Sequence, residues 1–263
     1  MTINYSLAEL LIVAAAENWR NVGEVMGFGA GTIPRLGVNL AKATFNPALM
    51  TTDGECFYTT TPIGPGDRAG PENVEGWSPY DRTFSTLWRG KRVAMVGPTQ
   101  LDCFGQANIS AIGPHQRPKV ALVGARGFPG NSIHHPNSFF VPTHNTRTLV
   151  KGEVDFVCSA GYNPARWLGG KQPFGLDLRI ILTDLAVLDF GGPDHAIRVR
   201  SLHPGIRFEQ VQDNTGFPLL RPEVIPTTPP PSSEQLAIIA QLDPKGMRKT
   251  ALKGDPPGDR RAS

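Results

Sequence analysis

Short apolar runs recur along this chain at 92–96, 120–123, 154–158, 180–182, 186–190 and 197–199, several of them closed off by Gly, Pro or Asp. Runs this short do not bury the stripe of an ordinary helix, but they fit strands buried on both faces. With 263 residues, 40% of them hydrophobic, the chain has enough apolar material to cover such a sheet. Helical patterns are fewer in the second half. The reading is therefore an α/β fold, an open, mostly parallel sheet with flanking helices, supplemented by antiparallel strands.

The clearest helical pattern covers 6–19, with Leu7, Leu10, Leu11, Ala14, Ala15 and Ala16 on the apolar positions, Ser6 as N-cap and Glu9 at capping-box spacing. Tract 23–31 is glycine-rich, and Pro34 opens a second helical pattern over 35–44. The short apolar stretch that follows ends at Asp53-Gly54-Glu55, and strand ends are where α/β proteins place chemistry. The Gly- and Pro-rich tract 62–79 predicts a long loop that covers a site or meets a partner. Pro226-Thr-Thr-Pro-Pro-Pro231 can neither pair in a sheet nor continue a helix. Residues 1–225 are accordingly read as the α/β domain. Residues 226–263 read as an extended linker, a short amphipathic helix over 232–242 and a disordered tail from 255.

The formal net charge of +3 is spread along the chain apart from a basic tail, so nucleic-acid binding is not indicated. The N-terminal apolar run is interrupted by Glu9, lacks a basic leader and is too short to span a bilayer, which predicts neither membrane span nor signal peptide. Cys56, Cys103 and Cys158 form no CxxC pair, and the histidines show no metal-ligand spacing. No metal is expected, and the compartment expected is the reducing cytoplasm.

Four tracts carry a resemblance. They are Gly31-Thr-Ile-Pro34 running into Leu40-Ala-Lys-Ala-Thr44; Gly97-Pro-Thr-Gln-Leu-Asp102 followed by Phe104-Gly-Gln-Ala-Asn108; Gly124-Ala-Arg-Gly127-Phe-Pro-Gly130-Asn131; and Thr183-Asp-Leu-Ala-Val-Leu-Asp-Phe190 with Leu202-His-Pro-Gly205 and Asn214-Thr-Gly-Phe217. In this order, over 31–217, they resemble the β subunit of class I coenzyme A-transferases such as glutaconate CoA-transferase. Asp53-Gly54-Glu55, Glu75-Gly76-Trp77 and Asn131-Ser-Ile-His-His135 are similar, within that family, to the β subunit of a heteromeric hydrolase. That hydrolase opens the last ring of a steroid nucleus as its CoA thioester.

The resemblance implies a subunit that works with an α subunit of the same family, as a heterodimer or α2β2 heterotetramer. Its substrate is an acyl-CoA, with CoA as part of the substrate and no permanently bound cofactor. In the transferases a glutamate of this subunit attacks the thioester, a weak nucleophile made reactive by placement and by binding energy from CoA. Here the carboxylates of Asp53 and Glu55 flank Gly54, so their register against that glutamate is open. In the hydrolase, the acid–base work lies largely on the α subunit, and Asp53 or Glu55 shapes or polarises the pocket. A third reading is a non-catalytic CoA-binding subunit.

Other residues are candidates on their own chemistry. Gly124, Gly127 and Gly130 with Asn131 let backbone amides approach an anion, or else form a tight connection with no ligand. Arg126 offers a planar fork to a phosphate or carboxylate, or a surface ion pair. His134 and His135 can donate to a carboxylate or relay protons, or else are a loop pair with one ring buried and one solvated. Gln100, Asp102 and Asn108 fall where the family places polar groups near the subunit contact and acyl pocket, although turn chemistry also uses such residues. Trp77 and Tyr80 line an apolar ring pocket or pack at the subunit interface.

Overall fold

The structure, a computed structural model, describes residues 4–54 and 56–261. The chain divides into two compact units, Met1–Val96 with Pro229–Ser263, and Gly97–Thr228. The first unit runs through α1 (Leu7–Ala16), β1 (Met26–Gly29), α2 (Thr32–Ala43), β2 (Thr51–Thr52), β3 (Phe57–Thr59), β4 (Val74–Trp77), α3 (Tyr80–Trp88) and β5 (Arg92–Val96). The second holds β6 (Gln100–Leu101), β7 (Ala107–Asn108), β8 (Ala111–Ile112), β9 (Val120–Ala121), α4 (Phe128–Asn131) and β10 (Pro136–Val141). It continues with β11 (Asp177–Thr183), β12 (Ala186–Asp189), β13 (Arg198–Leu202) and α5 (Phe208–Asp213), after which α6 (Ser233–Leu242) returns to the first unit.

α1 starts where its capping chemistry says it should. Ser6 Oγ accepts the Glu9 N–H, and the Glu9 carboxylate accepts the Ser6 N–H at 2.9 Å. Leu7, Leu10, Leu11, Ile12 and Val13 are all buried, so α1 is a core helix packed against α2. Trp19, fully buried, donates its indole N–H to Val93 O at 2.9 Å and ties the end of the α1 segment to β5. β1 runs parallel to β5, with Met26 opposite Arg92 and Gly29 opposite Met95. β2, β3 and β4 form a separate antiparallel sheet in that order.

In the second unit β10 and β11 are parallel, and β12 and β13 add to them antiparallel. The fold class read from the sequence is the one observed, parallel pairs with flanking helices and antiparallel strands added in the second half. The β6·β7 and β8·β9 hairpins stand as two small sheets of their own.

Several local expectations need correction. The glycine-rich tract 23–31 contains β1, because Gly27 and Gly29 trade side-chain packing for close approach to neighbouring atoms, a trade that apolar periodicity does not register. The expected loop 62–79 ends in β4, an outer strand whose exposed Glu75 and Trp77 break the apolar pattern. Run 120–123 is not a buried strand: Val120 is exposed on a two-stranded hairpin and Val123 is exposed beyond its end. Run 154–158 forms no strand, since the N–H groups of Val154 and Asp155 are taken by the side chains of Asp102 and Gln100. β10 escapes the apolar-run reading because its Asn137 and Ser138 are polar yet buried.

The C-terminal segment also differs from its expectation. α6 forms over the anticipated residues, capped by Ser232 and Gln235. It packs on α1 and α2, and the following tail does not run free: Leu7 N–H donates to Pro256 O at 2.7 Å, and Gly258 N–H to Tyr5 O at 2.9 Å. Arg248 bridges Glu9 at 3.1 Å and Asp243 at 3.0 Å, with all three side chains largely buried. Composition marks the segment as polar and Pro-rich, whereas its order rests on these long-range partners. No helix among the described residues is long and apolar enough to cross a membrane.

Candidate functional site

In the first unit the expected chemistry falls on the β2–β3 turn. Asp53 is buried, its N–H donates to Phe57 O at 3.1 Å, and its Oδ1 accepts the Phe57 N–H at 3.2 Å, so the carboxylate closes the turn it sits in. Gly54 lies at φ +86°, in the left-handed region. A Cβ at Gly54 would collide with Arg35 Nη1. Arg35, near the start of α2, donates Nη2–H to Asp53 O at 2.8 Å, while its Nε is buried without a hydrogen bond. Burial pushes the Arg35 guanidinium below its ordinary pKa, and Asp53 and Asp67 draw it part of the way back. A fixed cation thus holds the backbone immediately before position 55. Glu55 itself lies outside the described residues. Trp77 rides on the same sheet, opposite Phe57, with its side chain 61% exposed.

Sequence reasoning missed Arg35. A helical pattern over 35–44 does not single it out, and only the chain reversal at 53–54 brings the Asp53 carbonyl and the guanidinium together.

In the second unit Gln100 and Asn108 are cross-strand partners on β6 and β7, both buried. Asn108 Nδ2 donates to Gln100 Oε1 and to Ala111 O, each at 2.7 Å, while its Oδ1 accepts the Ser110 N–H at 2.9 Å. Gln100 Nε2 donates to Asp155 at 3.1 Å, and Asp155 N–H returns a bond to Gln100 Oε1 at 3.0 Å. Gln100 also lines, with Thr99, Ile112, Thr143, Asn145 and Arg147, an open cavity of about 560 Å³. Asp102, fully buried, accepts from the N–H groups of Phe104, Gln106 and Val154 and from Gln106 Nε2. Burial pushes its carboxyl above the ordinary range, against the pull of those donors. The tract 100–108 is therefore a hydrogen-bonded frame completed by Ala111, Val154 and Asp155.

Gly124, Arg126, Gly127, Gly130, Asn131 and His134 share one loop. Gly124 and Arg126 both have positive φ, +82° and +51°, and Arg126 is exposed. The loop is locked by its own bonds: Asn131 N–H donates to Gly127 O at 3.0 Å, and His134 Nδ1 lies 2.6 Å from Gly130 O, where it must be the donor. Side chains added at Gly124 or Gly130 would meet open space. At Gly130 neither packing nor backbone conformation within the chain requires glycine.

A buried pair of histidines was also missed as a unit. His144 lies between Thr183 Oγ1 at 3.0 Å and Thr215 Oγ1 at 2.8 Å, and His203 between Thr228 Oγ1 and Thr183 O, each at 2.9 Å. Burial holds His144 down to about 4, with His203 adding to the depression. An unfolded histidine titrates near 6.5. Between these values the unfolded chain takes up a proton that the folded chain refuses, so stability falls as pH drops from about 6.5 to about 4. The loss is expected to reach about 3 kcal/mol. Urea unfolding of the wild-type chain and of His144→Gln across that range should show this difference vanishing in the variant, and parallel pH curves would refute it.

Among the described residues no group of three or more His, Cys, Asp or Glu side chains could hold a metal ion.

No family model matches the chain. It is 37% identical over 247 residues to the "Cholesterol ring-cleaving hydrolase IpdB subunit" of Mycobacterium tuberculosis, covering 94% of this chain and 98% of that protein. The crystal structure of Rhodococcus jostii RHA1 IpdAB superposes with a TM-score of 0.88 at 35% identity, covering 95% of this chain and 99% of the other. The β subunit of the 3-oxoadipate CoA-transferase of Pseudomonas knackmussii is 31% identical over 267 residues, 97% of this chain and 98% of that protein. By full-length similarity at these identities, the chain belongs to the family of CoA-transferase-type β subunits that includes the ring-cleaving hydrolase subunit IpdB.

Proposed function

We propose that this chain is the β subunit of a two-subunit hydrolase that opens a ring of a cyclic β-keto acyl-CoA during steroid breakdown, cholesterol or bile-acid rings being the class. The observation that carries the reading is the similarity to ring-cleaving hydrolase subunits along nearly the whole chain. In the reaction, water adds to the ring ketone and the bond between that carbon and the α-carbon of the thioester breaks. The bonding electrons pass to the thioester as an enolate, which is then protonated at carbon. The products are a new carboxylate and a ring-opened acyl-CoA. CoA enters as part of the substrate, and the reading calls for no permanently bound cofactor and a cytoplasmic setting.

Within this reading Arg35 braces the backbone at Asp53-Gly54, immediately before position 55. Loop 124–131 offers the amides of its 124–127 stretch to an anionic portion of the substrate, the Asn131 N–H being held by Gly127 O, and Gly130, with open space where a side chain would stand, supports close approach there. Arg126 and His134 are the loop's polar side chains for a phosphate or carboxylate. Gln100 and Asn108 act on the pocket through the frame they hold, and Trp77 is available to an apolar surface. The acid–base work lies largely on the α subunit, with Asp53 or Glu55 shaping or polarising the pocket.

The full-length similarity to a CoA-transferase β subunit favours a second reading, transfer of CoA between carboxylic acids with Glu55 as nucleophile. One experiment separates the two. The complex co-produced with its α subunit is given a cyclic β-keto acyl-CoA in heavy-oxygen water. A product heavier by one water, carrying the label in its new carboxylate, is expected. Turnover only in the presence of a second carboxylic acid, with Glu55 trapped as a CoA thioester, would replace hydrolysis by transfer.

A further inference from the structure

α3 is a nine-residue helix of which only Leu87 is buried. A helix this short is marginal in water and owes its stability to what it packs on. Its exposed face carries Tyr80, Phe84 and Trp88 at successive i, i+4 positions, 84%, 39% and 63% exposed. The rings lie one above the other, with centroids 6.4 Å and 6.0 Å apart. Trp77, at the end of β4 and 61% exposed, lies three residues before Tyr80, and Arg82 Nη1 donates to Trp77 O at 2.8 Å, which ties the strand end to the helix. β4 is itself the outer strand of its sheet, with backbone groups directed away from β3.

At 150–250 Å² per aromatic side chain, the exposed parts of these four sum to roughly 500 Å². One partner of a standard protein–protein interface contributes about 800 Å², and Trp and Tyr dominate the energy of such contacts. The stripe alone therefore supplies more than half of what a stable complex needs. Its shape matters as much as its area. Small-molecule sites are concave, whereas this is a convex helix face about 12 Å long, presented to a surface of matching size.

We propose that Trp77, Tyr80, Phe84 and Trp88 form the docking surface for the α subunit. The inference rests on the two-subunit reading above and names the face through which this chain makes that contact.

The test uses the full chain with its α subunit. The double variant Phe84→Lys/Trp88→Lys places two strongly hydrated cations on a face that must be dry, and is expected to weaken association at least 100-fold by titration calorimetry. Leu168→Lys/Phe174→Lys, changing two exposed apolar side chains of the other unit, should leave it unchanged. Hydrogen exchange on the unmodified complex gives a readout independent of the variant's folding: amides of 76–88 should slow at least tenfold once the complex with the α subunit has formed. Unchanged affinity of the double variant, or unchanged exchange over 76–88 in a complex that forms, would overturn the docking surface and leave the two-subunit reading intact. A wild-type chain with no affinity for the α subunit would overturn both. Loss of self-association in the variant, with the α subunit still held, would assign the face to a second copy of the chain and overturn the proposal.

Discussion

Replacing Arg35 by methionine is expected to lower ring-opening turnover of the two-subunit complex by about 100-fold or more while changing its melting temperature by only a few degrees. The expectation follows from where the guanidinium acts. It holds Asp53 O at 2.8 Å and packs against Gly54, which has φ +86°, so it fixes the residues immediately before Glu55. Methionine keeps the apolar stem and removes the donor, which frees the turn to shift. A displacement of about 1 Å in a positioning element is enough to cost on the order of 100-fold in rate. Stability should change little because the half-buried guanidinium already bears a desolvation cost and its Nε has no hydrogen bond. Gly54→Ala should produce a loss of similar size from the other side of the contact, since its Cβ would meet Arg35 and its φ would be strained. Steady-state assays of both variants, with melting curves alongside, check the argument. Full activity in both would remove the turn from the site.

Asp102→Ala is expected to destabilise the chain by about 4 kcal/mol, the largest single effect outside the hydrophobic core. The carboxylate is fully buried and accepts four N–H groups, three from the backbone and one from Gln106. Removing it orphans all of them at once, where each orphan costs about 1–3 kcal/mol. Asp102→Asn should lose less but not recover the wild-type value. Its Oδ1 can still serve Phe104 and Gln106, but its amide would face the Gln106 Nε2 donor. Gln106 cannot turn over to help, because Asn163 Nδ2 donates to its Oε1 at 2.6 Å and its Nε2 also donates to Glu153 at 3.0 Å. Urea midpoints of the three proteins should fall in the order wild type, Asn, Ala. Coincident midpoints would show that the frame is dispensable.

The Asp102 frame illustrates what could be read in the sequence and what could not. The residue types of the 100–108 tract were legible, and so was their place in a family pattern. That Gln100 and Asn108 would spend their hydrogen bonds on each other, on Ala111 and on Asp155 was not, because Asp155 lies 55 residues from Gln100. The side chains of Asp102 and Gln100 draw the N–H groups of 154 and 155 to themselves, which is also why an apolar run there forms no strand.

Sequence by itself determined the features whose physics is local or periodic. These are the capped helices α1 and α6, the strands at β5, β11, β12 and β13, and the α/β class that their order imposes. It also carried the family resemblance, since ordered motifs persist where individual contacts cannot be seen. Tertiary structure alone decided the pairing of Arg35 with the Asp53-Gly54 turn, the docking of the C-terminal tail on α1, and the exposure of the α3 aromatics. In each case the deciding energy comes from groups distant in sequence: a desolvated cation needing an acceptor, tail backbone groups needing partners, and an aromatic face that its own chain leaves uncovered. Local pattern records which groups need partners, and only the folded chain supplies them.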